Sequence, residues 1–121
     1  MRGQTGPWLV STWMSSLRAT TPYAALHSAT PSPDDPTATE VTGGWYSRKA
    51  FAWDALDETA AANAAAVKWN GTPGVTLAGL AIYTTSTGSS LMLWCPVVPL
   101  VTVPVGGNIM IGAHEIYVEI V

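Results

Sequence analysis

The sequence predicts an all-β fold, an antiparallel β-sandwich or jelly roll with a short N-terminal helix or arm. Short apolar runs recur along the 121 residues, and turn-forming stretches such as "STGSS" and "PVGGN" separate them. Runs of this kind are typical of sandwiches rather than of parallel βαβ folds. We expect two parts, an arm at residues 1–18 and a single β domain at residues 19–121.

The first predicted element is a helix at residues 7–18. Pro7 suits a first helical turn, and Trp8, Trp13 and Leu17 share one face at helical spacing. This apolar stripe precedes the strand pattern and needs a partner to cover it. Trp8, Trp13 and Leu17 are therefore interface candidates, and the segment is expected to be an attachment element.

The strands are then predicted in chain order at "PYAALHSA", "WYSRKAFAW", "GVTLAGLAIYTT", "SSLMLWCPVV", "LVTVPVG" and "AHEIYVEIV". Between the first two, the prolines and aspartates of "TPSPDDPTATE" leave only a loop. Residues 54–66 stay open between helix and strand, because Asp54 and the many alanines favour a helix by propensity.

The composition indicates a protein that associates. Charged residues make up 11% of the chain, against about 25% in an ordinary soluble domain. So little surface charge favours a homo-oligomer. A net charge of −3 offers no basic face for nucleic acid. No stretch reaches the ~20 apolar residues of a membrane span, and the N-terminus does not resemble a secretory signal, so we expect synthesis and retention in the cytoplasm.

The stretch "EVTGGWYSRKAF", residues 40–51, places two cations in an apolar strand pattern. In a regular strand Tyr46 and Arg48 share a face, where the guanidinium can stack on the ring and pair with a carboxylate across an interface. The glycine pair before Trp45 allows a bend or bulge. Trp45, Tyr46 and Arg48 are thus interface candidates; the alternative is that the two cations are solvated strand residues.

The order of these motifs resembles a family of small virion proteins of tailed bacteriophages, called tail fibre proteins or, in some cases, head decoration proteins. The resemblance spans roughly residues 7–121 and depends on the order of several weak motifs. The matching positions are Tyr23, Ala25, Leu26, His27, Glu40, Val41, Gly43, Gly44, Tyr46, Arg48, Ala50, Asn63, Ala65, Ala66, Val67, Gly79, Leu80, Ile82, Gly88, Leu91 and Leu93. Trp45 departs from the pattern, since it replaces a small residue.

This resemblance implies a β-sandwich structural protein that binds other virion proteins, the major capsid protein or tail proteins. We favour a head decoration (cement) subunit located in the virion, with a tail fibre or tail-associated subunit as the alternative.

Candidate chemistry is sparse, and no catalytic, cofactor or metal site is predicted. His27 continues the face of Tyr23 and is expected to be a hydrogen-bonded structural histidine. His114 and Glu115 are neighbours and would point to opposite faces of a strand, which suits no shared metal. We therefore expect no enzyme and no cofactor.

A carbohydrate-binding module is the alternative from another class, because six tryptophans on a β-sandwich could stack on sugar rings. That function requires two or three coplanar exposed rings.

Overall fold

Almost all regular structure in the described residues is β. The computed structural model describes residues 14–56 and 60–119. The strands are β1 (Tyr23–His27), β2 (Lys49–Ala50), β3 (Trp53–Ala55), β4 (Ala60–Asn63), β5 (Val67–Trp69), β6 (Pro73–Tyr83), β7 (Leu91–Val105), β8 (Ile109–Ile111) and β9 (Tyr117–Glu119). The described residues also contain a 3₁₀ helix at Pro36–Thr39 and a helical segment at residues 14–19.

The strands form three antiparallel sheets. Their orders are β2-β1-β6-β7, β3-β4-β9 and β5-β8. The main core joins the first and third of these sheets. Its buried members are Ala24, Leu26, Val67, Trp69, Leu77, Leu80, Ile82, Val103, Ile109 and Ile116. The predicted all-β antiparallel architecture with a short N-terminal helix is confirmed.

Strand β1 is buried on both faces. Ala24 and Leu26 point into the main core. On the other face Ala25 packs with Ala81 and Tyr83 in a second, smaller cluster. A strand that is covered on both faces has a continuous apolar sequence rather than an alternating one. This explains the sequence "YAALH" of β1. The histidine at the end of this strand is therefore in the interior.

Residues 54–66, left open by the sequence, contain strands. All four residues of β4 are buried, and β4 lies between β3 and β9. Three alanines in a row favour a helix by propensity, but pairing on both edges overrides that preference here.

The largest departure from the expected strands is in β7, where two separate strands were predicted and one long strand is found. Leu77 of β6 pairs with Val101, yet Gly79 pairs with Pro96. Pro96 and Val101 are five residues apart in β7, whereas their partners Gly79 and Leu77 are only two residues apart in β6. The extra residues of β7 form a bulge. The bulge requires Gly79, because a Cβ there would lie 2.4 Å from the carbonyl oxygen of Cys95. Strand β8 was also not predicted.

The described part of the N-terminal helix is attached to the β domain. Met14 is fully buried, Leu17 is half-buried, and an Nη atom of Arg18 donates to the carbonyl of Ala60 at 3.1 Å. Trp8 and Trp13 lie outside the described residues. No helix in residues 14–56 and 60–119 has the length and hydropathy needed to cross a membrane.

Candidate functional site

The most concentrated polar feature is an ion pair within the motif "EVTGGWYSR". Nε of Arg48 donates to Oε2 of Glu40 at 2.9 Å, and Nη2 donates to Oε1 at 2.9 Å. Their side chains are only 4% and 13% exposed. The pair is therefore bidentate and largely removed from water, a geometry that arginine matches well.

Tyr46 connects this pair to β1. Its hydroxyl donates to Oε2 of Glu40 and accepts the backbone N–H of Leu26 at 3.3 Å. Glu40 thus accepts from two side chains at once, and its carboxylate needs no further donor to compensate for burial.

Arg48 also holds the loop that joins β6 to β7. Its Nη1 donates to the carbonyl of Thr85 at 3.1 Å, and Nη2 donates to the carbonyl of Gly88 at 2.6 Å. Its Cζ atom lies 3.6 Å from the centroid of the Tyr83 ring, a cation–π distance. One side chain therefore connects three separate parts of the chain.

The partners of Arg48 differ from the sequence expectation. The carboxylate belongs to the same chain, and the stacked ring is Tyr83 rather than Tyr46. The expected regular strand is interrupted, since only Lys49–Ala50 and Trp53–Ala55 are strands in this region. A role of Arg48 at a subunit contact remains a prediction.

The glycine pair forms the turn that brings Tyr46 and Arg48 back toward Glu40. The N–H of Tyr46 donates to the carbonyl of Gly43 at 3.1 Å. Gly43 has φ +134°, and a Cβ there would lie 2.7 Å from Nε1 of Trp45, whereas Gly44 faces open space. Of the two glycines, Gly43 is therefore the one whose backbone conformation and surroundings require a residue without a Cβ. Trp45 is half-buried, and its indole N–H is buried without a hydrogen-bond partner.

His27 extends the network into the interior. Its Nε2 lies 3.1 Å from the Tyr83 hydroxyl, and its Nδ1 lies 2.8 Å from Oγ1 of Thr39. The ring also meets Trp94 edge-on at 5.7 Å between centroids. The prediction of a hydrogen-bonded structural histidine is confirmed, although no local signal in the sequence indicates its contact with Tyr83.

Burial and charge together set the protonation states of this cluster. Burial lowers the pKa of His27, and the nearby Arg48 cation lowers it further, outweighing the opposite effect of Glu40. Burial alone would raise the pKa of Glu40, but the hydrogen bonds from Arg48 and Tyr46 and the charge of Arg48 bring it below its ordinary value. Burial raises the pKa of Tyr46 and of Tyr83. At neutral pH the network therefore consists of one carboxylate, one guanidinium and neutral rings.

An open pocket of about 770 Å³ lies beside the Glu40–Arg48 pair, with the hydroxyl-rich loop residues 86–89 on one wall. Of its charged lining residues, Glu40 and Arg48 are paired with each other, and Asp35 accepts a hydrogen bond from the Thr37 hydroxyl. Within the described parts of the chain, no three metal-ligating side chains come together. His114 instead meets Asp54, with Nε2 2.7 Å from Oδ2 at an exposed position.

A second buried polar residue, Asn63, has a structural role. Its side-chain amide donates to the carbonyls of Ala65 and Gly112 at 2.8 and 2.9 Å. Its Oδ1 accepts the N–H of Ile116 at 2.9 Å. Asn63 thus joins β4 to the chain that leads into β9, and its hydrogen-bonding capacity is used within the fold.

The tryptophans that the structure describes form no exposed platform. Trp69 is buried, and Trp45, Trp53 and Trp94 are half-buried. The coplanar exposed rings expected of a carbohydrate-binding module are not found in residues 14–56 and 60–119.

The described chain is an antiparallel β protein whose Glu40–Arg48 motif is paired within the fold, and the order of its motifs predicts a virion structural protein. Comparison with family models identifies the family. The model of the family described as "Podophage GP4 fiber I protein gp80" matches residues 11–119. The chain belongs to this fibre protein family. Comparison with curated proteins gives no match.

Proposed function

We propose that the protein is a structural subunit of a fibre on a podophage virion, where it binds other virion proteins. The family match over residues 11–119 carries this proposal. The motif order alone favours a head decoration subunit, but the family description supports the fibre alternative. The geometry of the motif supports a structural role as well, because the charges of Glu40 and Arg48 are used within the fold.

Immunogold electron microscopy of intact particles tests the location. Antibodies against this chain should label appendages of the particle, and particles from a phage that lacks the gene serve as the control. Gold spread evenly over the head shell would contradict the fibre assignment and restore the decoration role.

Within this function, we propose that residues 1–13, with Trp8 and Trp13, attach the subunit to its neighbours. The boundary is set after residue 13 because Met14 is fully buried and Arg18, on the same helical segment, donates to the Ala60 carbonyl of β4. A chain that lacks residues 1–13 should keep its β circular dichroism and lose binding to particles that lack the native subunit. Undiminished binding would refute the attachment role, and loss of the fold would show that the segment belongs to the core.

We further propose that the subunit is a homo-oligomer. The support is the low charge content together with large apolar side chains that remain exposed, such as Leu100 at 60% and Val105 at 81%. Sedimentation velocity should show a species larger than a monomer at micromolar concentration. A monomer throughout that range would contradict the proposal.

A further inference from the structure

A buried histidine connects the loop after β1 to the sheet. His27 is fully buried and forms an isolated antiparallel bridge with Glu40. Two backbone hydrogen bonds flank it, from Ser28 N–H to the Thr39 carbonyl and from Val41 N–H to the Leu26 carbonyl, each 3.0 Å long. The imidazole therefore lies where residues 39–41 dock on β1.

We propose that His27 is an acid-sensitive latch, which holds residues 39–41 against β1 and β6 while its imidazole is neutral and loosens them when it is protonated.

The hydrogen-bond arrangement supplies the first reason. A neutral imidazole has one donor nitrogen and one acceptor nitrogen, and both partners of His27 are hydroxyls. If Tyr83 donates to Nε2, protonation there removes the acceptor that His27 provides, and no other acceptor for the buried Tyr83 hydroxyl is found among the described residues. If Thr39 instead donates to Nδ1, protonation there removes the acceptor of the Thr39 hydroxyl. Either tautomer thus leaves a hydroxyl proton without its partner, at a fully buried hydroxyl for Tyr83 and at a half-buried one for Thr39, and such a loss is most unfavourable where water is excluded.

Charge supplies the second reason. The guanidinium of Arg48 already lies 3.6 Å from the centroid of the Tyr83 ring, and the His27 ring stacks on Tyr83 at 6.0 Å. A protonated His27 would therefore be a second cation beside the Tyr83 ring, in addition to the Arg48 guanidinium. The charged groups acting on His27 are Arg48 and Glu40, and the single carboxylate is already engaged in a bidentate pair with Arg48.

The sign of the pH dependence follows from burial. Because the pKa of His27 is lowered in the folded protein, the open form binds a proton more readily than the docked form. Acidification below the ordinary value of 6.5 therefore favours opening, by at most about tenfold per pH unit. Glu40 keeps its charge in this range, since its pKa lies below the ordinary 4.5.

Native-state amide hydrogen exchange by NMR tests the latch on the full chain between pH 7 and pH 5. After correction for intrinsic rates, protection of the Ser28 and Val41 amides should fall by up to about tenfold per pH unit. The Thr72 amide, which donates to Gly107 at 3.0 Å outside the network, should keep its protection. Constant protection of Ser28 and Val41 would overturn the proposal.

Two variants separate His27 from the exposed His114. His27→Gln keeps a donor and an acceptor but does not titrate, so the pH dependence at Ser28 and Val41 should disappear. His114→Gln should leave it unchanged. Persistence of the dependence in His27→Gln, or its loss in His114→Gln, would overturn the latch.

The unsubstituted protein decides the question if His27→Gln does not fold. The imidazole resonances of His27 and His114 can be followed in the same titration. Loss of Ser28 and Val41 protection should begin near pH 6.5 and level off where the His27 resonance titrates, which is below 6.5 because its pKa is lowered in the folded protein. Tracking with His114, or titration of His27 with no loss of protection, would refute the proposal.

Discussion

Replacing Arg48 with alanine tests whether the motif stabilises the fold or forms an interface. The change removes a bidentate partner from Glu40, a stacked cation from Tyr83, and donors from the carbonyls of Thr85 and Gly88. The sequence alone suggested that this substitution would weaken assembly while hardly changing the fold. The structure predicts a large loss of stability.

Burial decides the magnitude. The two side chains are 4% and 13% exposed, so the pair is not the surface kind that contributes about 0–1 kcal/mol. Removing one partner of a buried pair leaves an uncompensated charge and costs about 3–5 kcal/mol. For 121 residues the entropy of unfolding implies a drop in Tm of roughly 4 °C per kcal/mol, or about 12–20 °C in total.

Thermal and urea unfolding of Arg48→Ala, Glu40→Ala and the double variant measure this prediction. The loss of unfolding free energy in the double variant should be smaller than the sum of the losses in the single variants by about 1–3 kcal/mol. The reason is that each single change leaves the other charge buried without its partner. Lys49→Ala is the matched control, since Lys49 is the neighbouring cation and makes no ion pair in the described structure; it should change stability by less than about 0.5 kcal/mol. Arg48→Ala within 1 kcal/mol of the parent, with particle binding lost, would refute the structural role and restore the interface role.

Three further predictions follow from the same geometry. Gly43→Ala should lower Tm, because its φ is +134° and a Cβ would collide with the neighbouring indole, whereas Gly44→Ala should be nearly neutral; equal effects would contradict this assignment. Gly79→Ala should destabilise by more than about 2 kcal/mol in urea unfolding, because its Cβ would lie 2.4 Å from the Cys95 carbonyl oxygen, and a silent substitution would mean that the bulge is absent. Stability should fall as pH drops below 4.5 toward the lowered pKa of Glu40, and Glu40→Gln should flatten that part of the curve; an unchanged slope would exclude Glu40 as its cause.

The sequence predicts the fold well where proline or loop-forming residues mark the ends of a strand. Strand β1 lies within "PYAALHSA" as expected, since a proline precedes its apolar run and loop residues follow it. Residues 54–66 could not be assigned because local propensity opposed the strand pairing that only the folded chain supplies. The bulge in β7 depends on its register with β6, which the sequence of one strand does not contain.

The candidate site shows that the alternation of side chains along a strand predicts neighbours only within that strand and not across a turn. Strict strand alternation relates Tyr46 to Arg48, but it does not extend across the Gly43–Gly44 turn and so does not include Glu40. The turn reverses the chain, so the carboxylate eight positions before Arg48 becomes its partner. An acidic residue and an arginine on either side of a glycine pair could have indicated this. The contact between His27 and Tyr83, 56 positions apart, has no such local signal.

The internal ion pair also makes the surface poorer in charge than the composition suggests. Glu40 and Arg48 contribute to the 11% charged residues, but little of either is exposed. Residues 69–113 contain no Asp, Glu, Lys or Arg, and this uncharged stretch includes the β6–β7 hairpin with exposed Leu100 and Val105. The chain uses charge to fix one loop region and leaves its longest hairpin uncharged. A subunit built in this way is stabilised when neighbouring proteins cover its apolar surface, and the proposed fibre would provide such neighbours.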